Sequence, residues 1–306
     1  MTPTRSWTKW CYIALFSALS LGSPQAQGSE KEKQTPTKVA PAKAEKPAFK
    51  PLIFPSKDGL SLRVDLYAPH KDPKTPFIVL FHQAGWSRGE YRTIAPRLNR
   101  MGFNCMAVDQ RSGGTINGVI NETAKRAKGS KLPTEFVAAK PDIEAALLYA
   151  RKQLAKGPLL AWGSSYSAAL VLQVTGEHPN IADGVLAFAP GEYIRTRGKD
   201  WIAKSAANIT VPVFVTSAKD EADNWKGIFE AIGSHRKTSY LPKTQGNHGS
   251  RALWRKFKDS PGYWVAVTKF LDKHFPRNRK AAANKKTNED VPAKRKPASK
   301  EKPQVQ

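Results

Sequence analysis

Fifty Lys and Arg residues against 25 Asp and Glu give this 306-residue chain a formal net charge of +25, with 40% of its residues hydrophobic. That length supports a sizeable core, and two cysteines in the whole chain exclude a disulfide-stapled scaffold. The basic excess fits anionic surroundings, but no nucleic-acid-reading module is recognisable and the basic ends hold almost no aromatics to stack bases, so specific nucleic-acid binding is not expected.

In chain order, Arg5 and Lys9 precede an apolar stretch from Tyr12 to Leu21, followed by the small residues of Ala26-Gln27-Gly28. This pattern predicts a secretory signal over 1–28, too short for a membrane span, and hence an exported, periplasmic or extracellular protein. If cleavage follows Gly28, Cys105 alone remains, in an apolar run where a buried, inert thiol is expected. Residues 29–50 and 277–306 are rich in Lys, Pro and Ala and lack large apolar side chains, so both are expected to be disordered, the latter as a basic tail. Adhesion to anionic envelope polymers or a membrane surface is the expected use of this charge.

Residues 51–276 have the length of one α/β domain. Leu60 to Tyr67 alternates apolar and polar, predicting an antiparallel strand near a sheet edge, whereas the unbroken run Phe77 to Phe81 predicts a strand covered on both faces. A loop follows at His82-Gln83-Ala84-Gly85-Trp86, then a helix over Glu90 to Met101 and a buried strand over Phe103 to Val108 ending in Asp109-Gln110-Arg111-Ser112-Gly113. The polar insert from Thr115 to Ala139 is the candidate for a partial lid, with a short helix near Asn121 to Lys128. A helix is predicted over Asp142 to Leu154, with Pro141 at its start and Gly157 beyond its end. A strand from Pro158 and a helix from Tyr166 flank Gly163-Ser164-Ser165-Tyr166-Ser167. Further strands are predicted at Val185–Phe188, Val211–Val215 and Thr238–Leu241, and helices at Trp225–Ile232 and Trp264–Phe275. The alternation argues for a mostly parallel sheet wrapped on both faces, and the roughly twenty residues between the Phe188 and Val213 strands leave no room for a large cap domain.

Reactive groups in such a sheet belong at the carboxyl ends of strands. A strand-to-helix turn of the form Gly-x-Ser-x-small lifts one serine hydroxyl above the sheet edge. A serine needs a neutral imidazole to take its proton, and the imidazole needs a carboxylate to fix its tautomer. Ser165, Asp220 and His248 supply these groups in the order Ser, Asp, His, with Glu221 and Asp223 close enough to replace Asp220. The N–H groups of Tyr166 and Ala84 would form an oxyanion hole, with Gln83 the alternative to Ala84. Trp86, together with Tyr166, is expected to line the substrate side. His82 is expected to brace its loop, and Asp109 to pair near Arg111.

Together the elbow, the His-x-x-Gly loop after the third strand, the Asp-x-Arg-x-Gly turn and the late Asn247-His248-Gly249 make 51–276 resemble the α/β-hydrolase superfamily, on the side of its dienelactone-hydrolase-like and esterase-like members. The resemblance implies an α/β-hydrolase fold and a serine hydrolase cleaving a carboxylic ester, a small molecule, through an acyl-enzyme on Ser165. Ser167 stands where that pattern has a glycine, and Gln83 departs from the usual glycine of the first loop. The same triad serves thioesterases, lactonases and peptidases. A reading from another class is a non-catalytic envelope-binding protein on the same scaffold. No metal motif and no phosphate-binding glycine loop is present, so no cofactor is expected.

Overall fold

A computed structural model describes residues 48–277 of the chain. The predicted leader over 1–28, nearly all of the predicted linker over 29–50 and the predicted tail beyond 277 lie outside the described residues.

In chain order the elements are β1 (Lys50–Pro55), β2 (Ser61–Tyr67), β3 (Phe77–Phe81), α1 (Ile94–Arg100) and β4 (Asn104–Val108). A small hairpin, β5 (Thr115–Ile116) and β6 (Val119–Ile120), leads to α2 (Glu122–Gly129) and α3 (Lys140–Tyr149). Then come β7 (Leu159–Ser164), α4 (Tyr166–Glu177), β8 (Gly184–Phe188), α5 (Trp201–Ala206), β9 (Val213–Thr216), α6 (Ala222–Ala231), β10 (Lys237–Tyr240) and α7 (Ser260–His274).

The main sheet runs in the order β1-β2-β4-β3-β7-β8-β9-β10. β2 is antiparallel to both neighbours, and every pairing from β4 to β10 is parallel. The five residues of β3 are all buried, alternating between two cores: Phe77, Val79 and Phe81 face the helices α3 to α6, and Ile78 and Leu80 face α1 and α7. That double coverage is why the parallel strands read as unbroken apolar runs. β1, absent from the sequence expectation, is an edge strand, and its Pro51 and Pro55 have no N–H to give a further neighbour. The other edge, β10, is four residues long, and its Lys237 donates to the carbonyls of Phe229, Glu230 and Ile232 at the end of α6.

The expected pairing of Asp109 near Arg111 is corrected. Asp109 pairs with Arg88 at 2.5 Å, and Arg88 also meets Asp65 at 3.1 Å and Glu122 at 3.0 Å. Arg111 turns to the other core, where it holds Asp142 at 2.6 Å and Asp58 at 2.6 Å. The two acid–arginine groups staple the turn after β4 to α3, to the β1–β2 connection and to the insert. Arg111 and Asp142 are both buried. Removing Asp142 leaves the buried guanidinium with the more exposed Asp58 as its remaining carboxylate, so Asp142→Ala should cost about 3–5 kcal/mol. A thermal melt should then show a Tm lower by roughly 6–20 °C.

The first part of the 115–139 insert is fastened to the domain. Ser87 and Arg88 donate to the carbonyls of Val119 and Ile120, Asn117 donates to Gly89, and Thr123 of α2 accepts the Arg63 N–H on β2.

Candidate active site

The apolar strand β7 runs straight into α4, and Ser165 occupies the turn between them with φ +61° and ψ −124°. A non-glycine residue there carries a backbone strain of about 1–3 kcal/mol, held because β7, β8 and α4 fix both ends: the Ser165 N–H is bonded to Phe188 O at 2.7 Å, and its carbonyl accepts from Ala168. Gly163 is required by close approach, since a Cβ would lie 2.4 Å from Ser167 O and 2.5 Å from the Ala168 backbone. Ser167, the departure from the glycine pattern, is fully buried; its hydroxyl accepts the Ser164 N–H at 2.9 Å and donates to Phe81 O at 2.8 Å. The extra hydroxyl thereby joins the elbow to the end of β3.

The loop after β3 is braced as expected from His82. This imidazole is fully buried, and burial pushes it down to about 4, so it is neutral near pH 7. Its Nε2 accepts the Gln110 N–H at 3.0 Å, which puts the proton on Nδ1, donated to Gln83 O at 2.9 Å. The Gln83 N–H is bonded to Glu90 Oε2 at 2.9 Å. Gln83 is thus spent as a donor, and of the two candidates on this loop Ala84 remains. The Tyr166 N–H opens α4, where helix geometry provides no intrahelical partner. The side chain of Tyr166 does not line the substrate side: it is fully buried, stacked on Phe136 with ring centroids 4.7 Å apart and donating to Ser112 O. Trp86 stacks on Trp254 at 5.3 Å and is partly exposed.

The carboxylate that meets His248 is Glu221, not Asp220. His248 Nδ1 lies 2.5 Å from Glu221 Oε1, and Glu221 Oε2 accepts the Ala218 N–H at 3.1 Å. After β9 the chain enters a single 3₁₀ turn at Lys219–Glu221. Side chains in such a turn are spaced by about a third of a revolution, so neighbouring acids point in different directions. Here Asp220 faces solvent and Glu221 turns inward.

The histidine loop is fastened to the acid loop and to the elbow. Lys219 N–H donates to Gln245 O at 2.8 Å, and the Tyr263 hydroxyl, bonded to Ser217 O at 2.8 Å, accepts the Asn247 N–H at 3.4 Å. Gly249, at φ +67°, passes so close to the elbow that a Cβ would stand 2.5 Å from Ser164 Oγ. The Tyr193 phenol lies near Ser165, and the Ser165 hydroxyl makes no hydrogen bond to His248, whose Nδ1 is held by Glu221. Catalytic hydrogen bonds are often long before substrate binds. Tyr193 donates to Ala189 O at 2.8 Å, and burial followed by the nearby Glu221 charge pushes its phenol up to about 12. Neither Tyr193 nor Glu90 was evident in the sequence. The usable signal for Tyr193 was its place in the loop at the carboxyl end of β8.

Glu144, Glu177 and His178 offer a cluster of ligand-type atoms at the other end of α4. Lys57 meets the Glu144 carboxylate at 2.5 Å and Lys140 bonds Glu177, so ammonium groups hold the oxygens that a metal ion would need.

A positive-φ serine between a parallel strand and a helix, with a histidine–carboxylate pair on the later strand loops, defines an α/β hydrolase. Residues 72–226 match the serine aminopeptidase S33 family, and the chain belongs to it. The matched span holds Ser165 and Glu221 but ends before His248. Among solved structures, a Pyrococcus furiosus esterase has a TM-score of 0.56 at 15% identity, covering 74% of this chain and 93% of its own. A dienelactone hydrolase from Anabaena variabilis has a TM-score of 0.57 at 12% identity over 74% and 99% of the two chains. Thermogutta terrifontis esterase 2, solved phosphoramylated by tabun, has a TM-score of 0.54 at 15% identity over 74% and 95%. No curated protein sequence matches.

Proposed function

We propose that the protein is a serine hydrolase that cleaves a carboxylic ester through an acyl-enzyme on Ser165. His248, its tautomer fixed by Glu221, takes the Ser165 proton as the hydroxyl attacks the ester carbonyl, then delivers it to the leaving alcohol. Water repeats the sequence in reverse to free the acid. The N–H groups of Tyr166 and Ala84 hold the oxyanion. The observation that carries the reading is the 2.5 Å contact between His248 and Glu221 on loops fastened to a strained serine turn.

An ester fits the surroundings better than a peptide with a free amino terminus. Glu221 is committed to His248, and Glu192 caps α5 through the N–H groups of Ile202 and Ala203, while Arg195, Arg197 and Lys199 stand exposed just beyond Tyr193. The exposed residues that follow Tyr193 in sequence are thus net basic, a poor match for a protonated amine. Export through the 1–28 segment and electrostatic adhesion through the basic ends belong to the same proposal, resting on composition.

The test is an organophosphonate probe with the modified peptide identified, alongside a panel of p-nitrophenyl esters and aminoacyl p-nitroanilides. The expected result is a single adduct on Ser165 and turnover of esters over anilides. An adduct on another serine, or faster anilide cleavage, overturns the assignment.

A further inference from the structure

The carboxylate of Glu90 sits where the three loops of the proposed site meet. It is fully buried. Oε2 accepts the Gln83 N–H at 2.9 Å, on the loop that carries Ala84. Oε1 accepts the Ser164 hydroxyl at 2.8 Å, one residue before Ser165. The same Ser164 Oγ accepts the Ser250 N–H at 2.8 Å, two residues after His248. The positive charge of Arg251 lies close enough to lower the carboxyl, and the Glu90 carbonyl accepts the Trp254 indole N–H at 3.0 Å.

We propose that Glu90 is a positioning residue for ester cleavage, its ionised carboxylate locking the oxyanion loop, the serine turn and the histidine loop into one register. This rests on the serine-hydrolase reading above and deepens it.

The chemistry requires the anion. Every partner around the carboxylate donates, and an ionised carboxylate is acceptor-only. A proton on Oε1 would have to be donated to Ser164 Oγ, which already receives the Ser250 N–H. Ser164 would then turn its own hydrogen away and the junction would change partners. The ionisable groups facing Glu90 are Tyr91 from its own segment, Tyr166 at the start of α4 and Arg251 from the histidine loop. Burial dominates and pushes the Glu90 carboxyl up to about 7, against the lowering by Gln83, Ser164 and Arg251. Turnover should therefore be supported above neutral pH and fall as pH drops through about 7 and the carboxylate is protonated. Stability runs the other way. A folded-state pKa above the unfolded value makes the protonated form the better one for folding, and that contribution is lost as pH rises through about 7.

A role confined to the fold and a role in positioning predict opposite results for Glu90→Gln, whose amide donates to Ser164 as the protonated acid would. With the full chain and a short-chain p-nitrophenyl ester, Glu90→Gln should lower kcat about 10²-fold with KM within about twofold, the scale of an ångström-level misplacement. The fall in kcat on the acid side of pH 7 due to Glu90 should disappear, and Tm at pH 8 should equal or exceed that of the wild type. Ser164→Ala, which cuts the link to the histidine loop, should give a similar loss in kcat, and the double variant should be little worse than either single one. Wild-type kcat and pH profile in Glu90→Gln overturn the proposal, as does a lower Tm with losses that multiply in the double variant. If Glu90→Gln does not fold, the proposal is overturned by a Ser164→Ala protein with wild-type kcat and supported by one with the stated loss at unchanged Tm. Equal turnover by Ser165→Ala and wild type would instead mark failure of the serine-hydrolase reading itself.

Discussion

Ser165→Ala should lower kcat for an activated ester by about 10⁶-fold, because in the proposed mechanism it removes the group that forms the acyl-enzyme. Histidine and carboxylate cannot compensate: they act on the serine proton, and without it they have nothing to transfer. Residual turnover roughly 10³-fold above the uncatalysed rate is expected from the oxyanion donors and binding alone. The fold should survive, since alanine removes one hydroxyl and leaves the backbone at φ +61° under the same restraints from β8 and α4. Steady-state kinetics, probe labelling and a thermal melt on the same preparation check this. A variant that labels or turns over like the parent would show that the nucleophile lies elsewhere, and mapping of the labelled peptide would tell whether Ser164 or Ser167 carries the adduct.

The second large effect distinguishes two adjacent acids. Glu221→Gln should lower kcat by about 10⁴-fold, as loss of the tautomer-fixing carboxylate does in other triads. In the parent, His248 Nδ1–H donates to Glu221 Oε1, leaving Nε2 free to accept the serine proton. A glutamine at 221 can turn its amide N–H₂ towards Nδ1 and stabilise the opposite tautomer, with the hydrogen on Nε2 and no lone pair for Ser165. Asp220→Asn, on an exposed side chain, should change kcat less than about threefold. The reverse order of effects in a side-by-side kinetic comparison would mean that the acid loop rearranges when substrate binds.

How far the sequence reached depended on the physical scale of each feature. β3, β4, β7 and β8 were legible as apolar runs because double coverage leaves no polar face to interrupt them. β1 was not, because its Lys50, Pro51 and Pro55 resemble the composition of the preceding segment, and only Leu52 and Phe54 carry its inward alternation. α5, six residues in an irregular stretch, is too short for a periodicity to show. The serine turn was visible because its small residues and flanking elements are local in sequence. The identity of the acid depends on the phase of one 3₁₀ turn, which no composition reveals, so the sequence points to Asp220 where the structure has Glu221. Glu90 is farther from such reading still. Its partners Gln83 and Ser164, and Ser250 bonded in turn to Ser164, are assembled by the sheet order, and in the sequence Glu90 is an ordinary glutamate at the start of a helical pattern.

The two borders of the sheet bear on how this protein behaves when concentrated. A bare strand margin is a template on which a second copy can add its own strand, the first step towards polymers and fibrils. On one border the rungs at Pro51 and Pro55 lack a hydrogen to offer; on the other, β10 gives only four residues to grip. A newcomer strand would find a ladder with missing rungs on one side and a short one on the other. The domain can therefore be concentrated without one sheet edge zipping onto another.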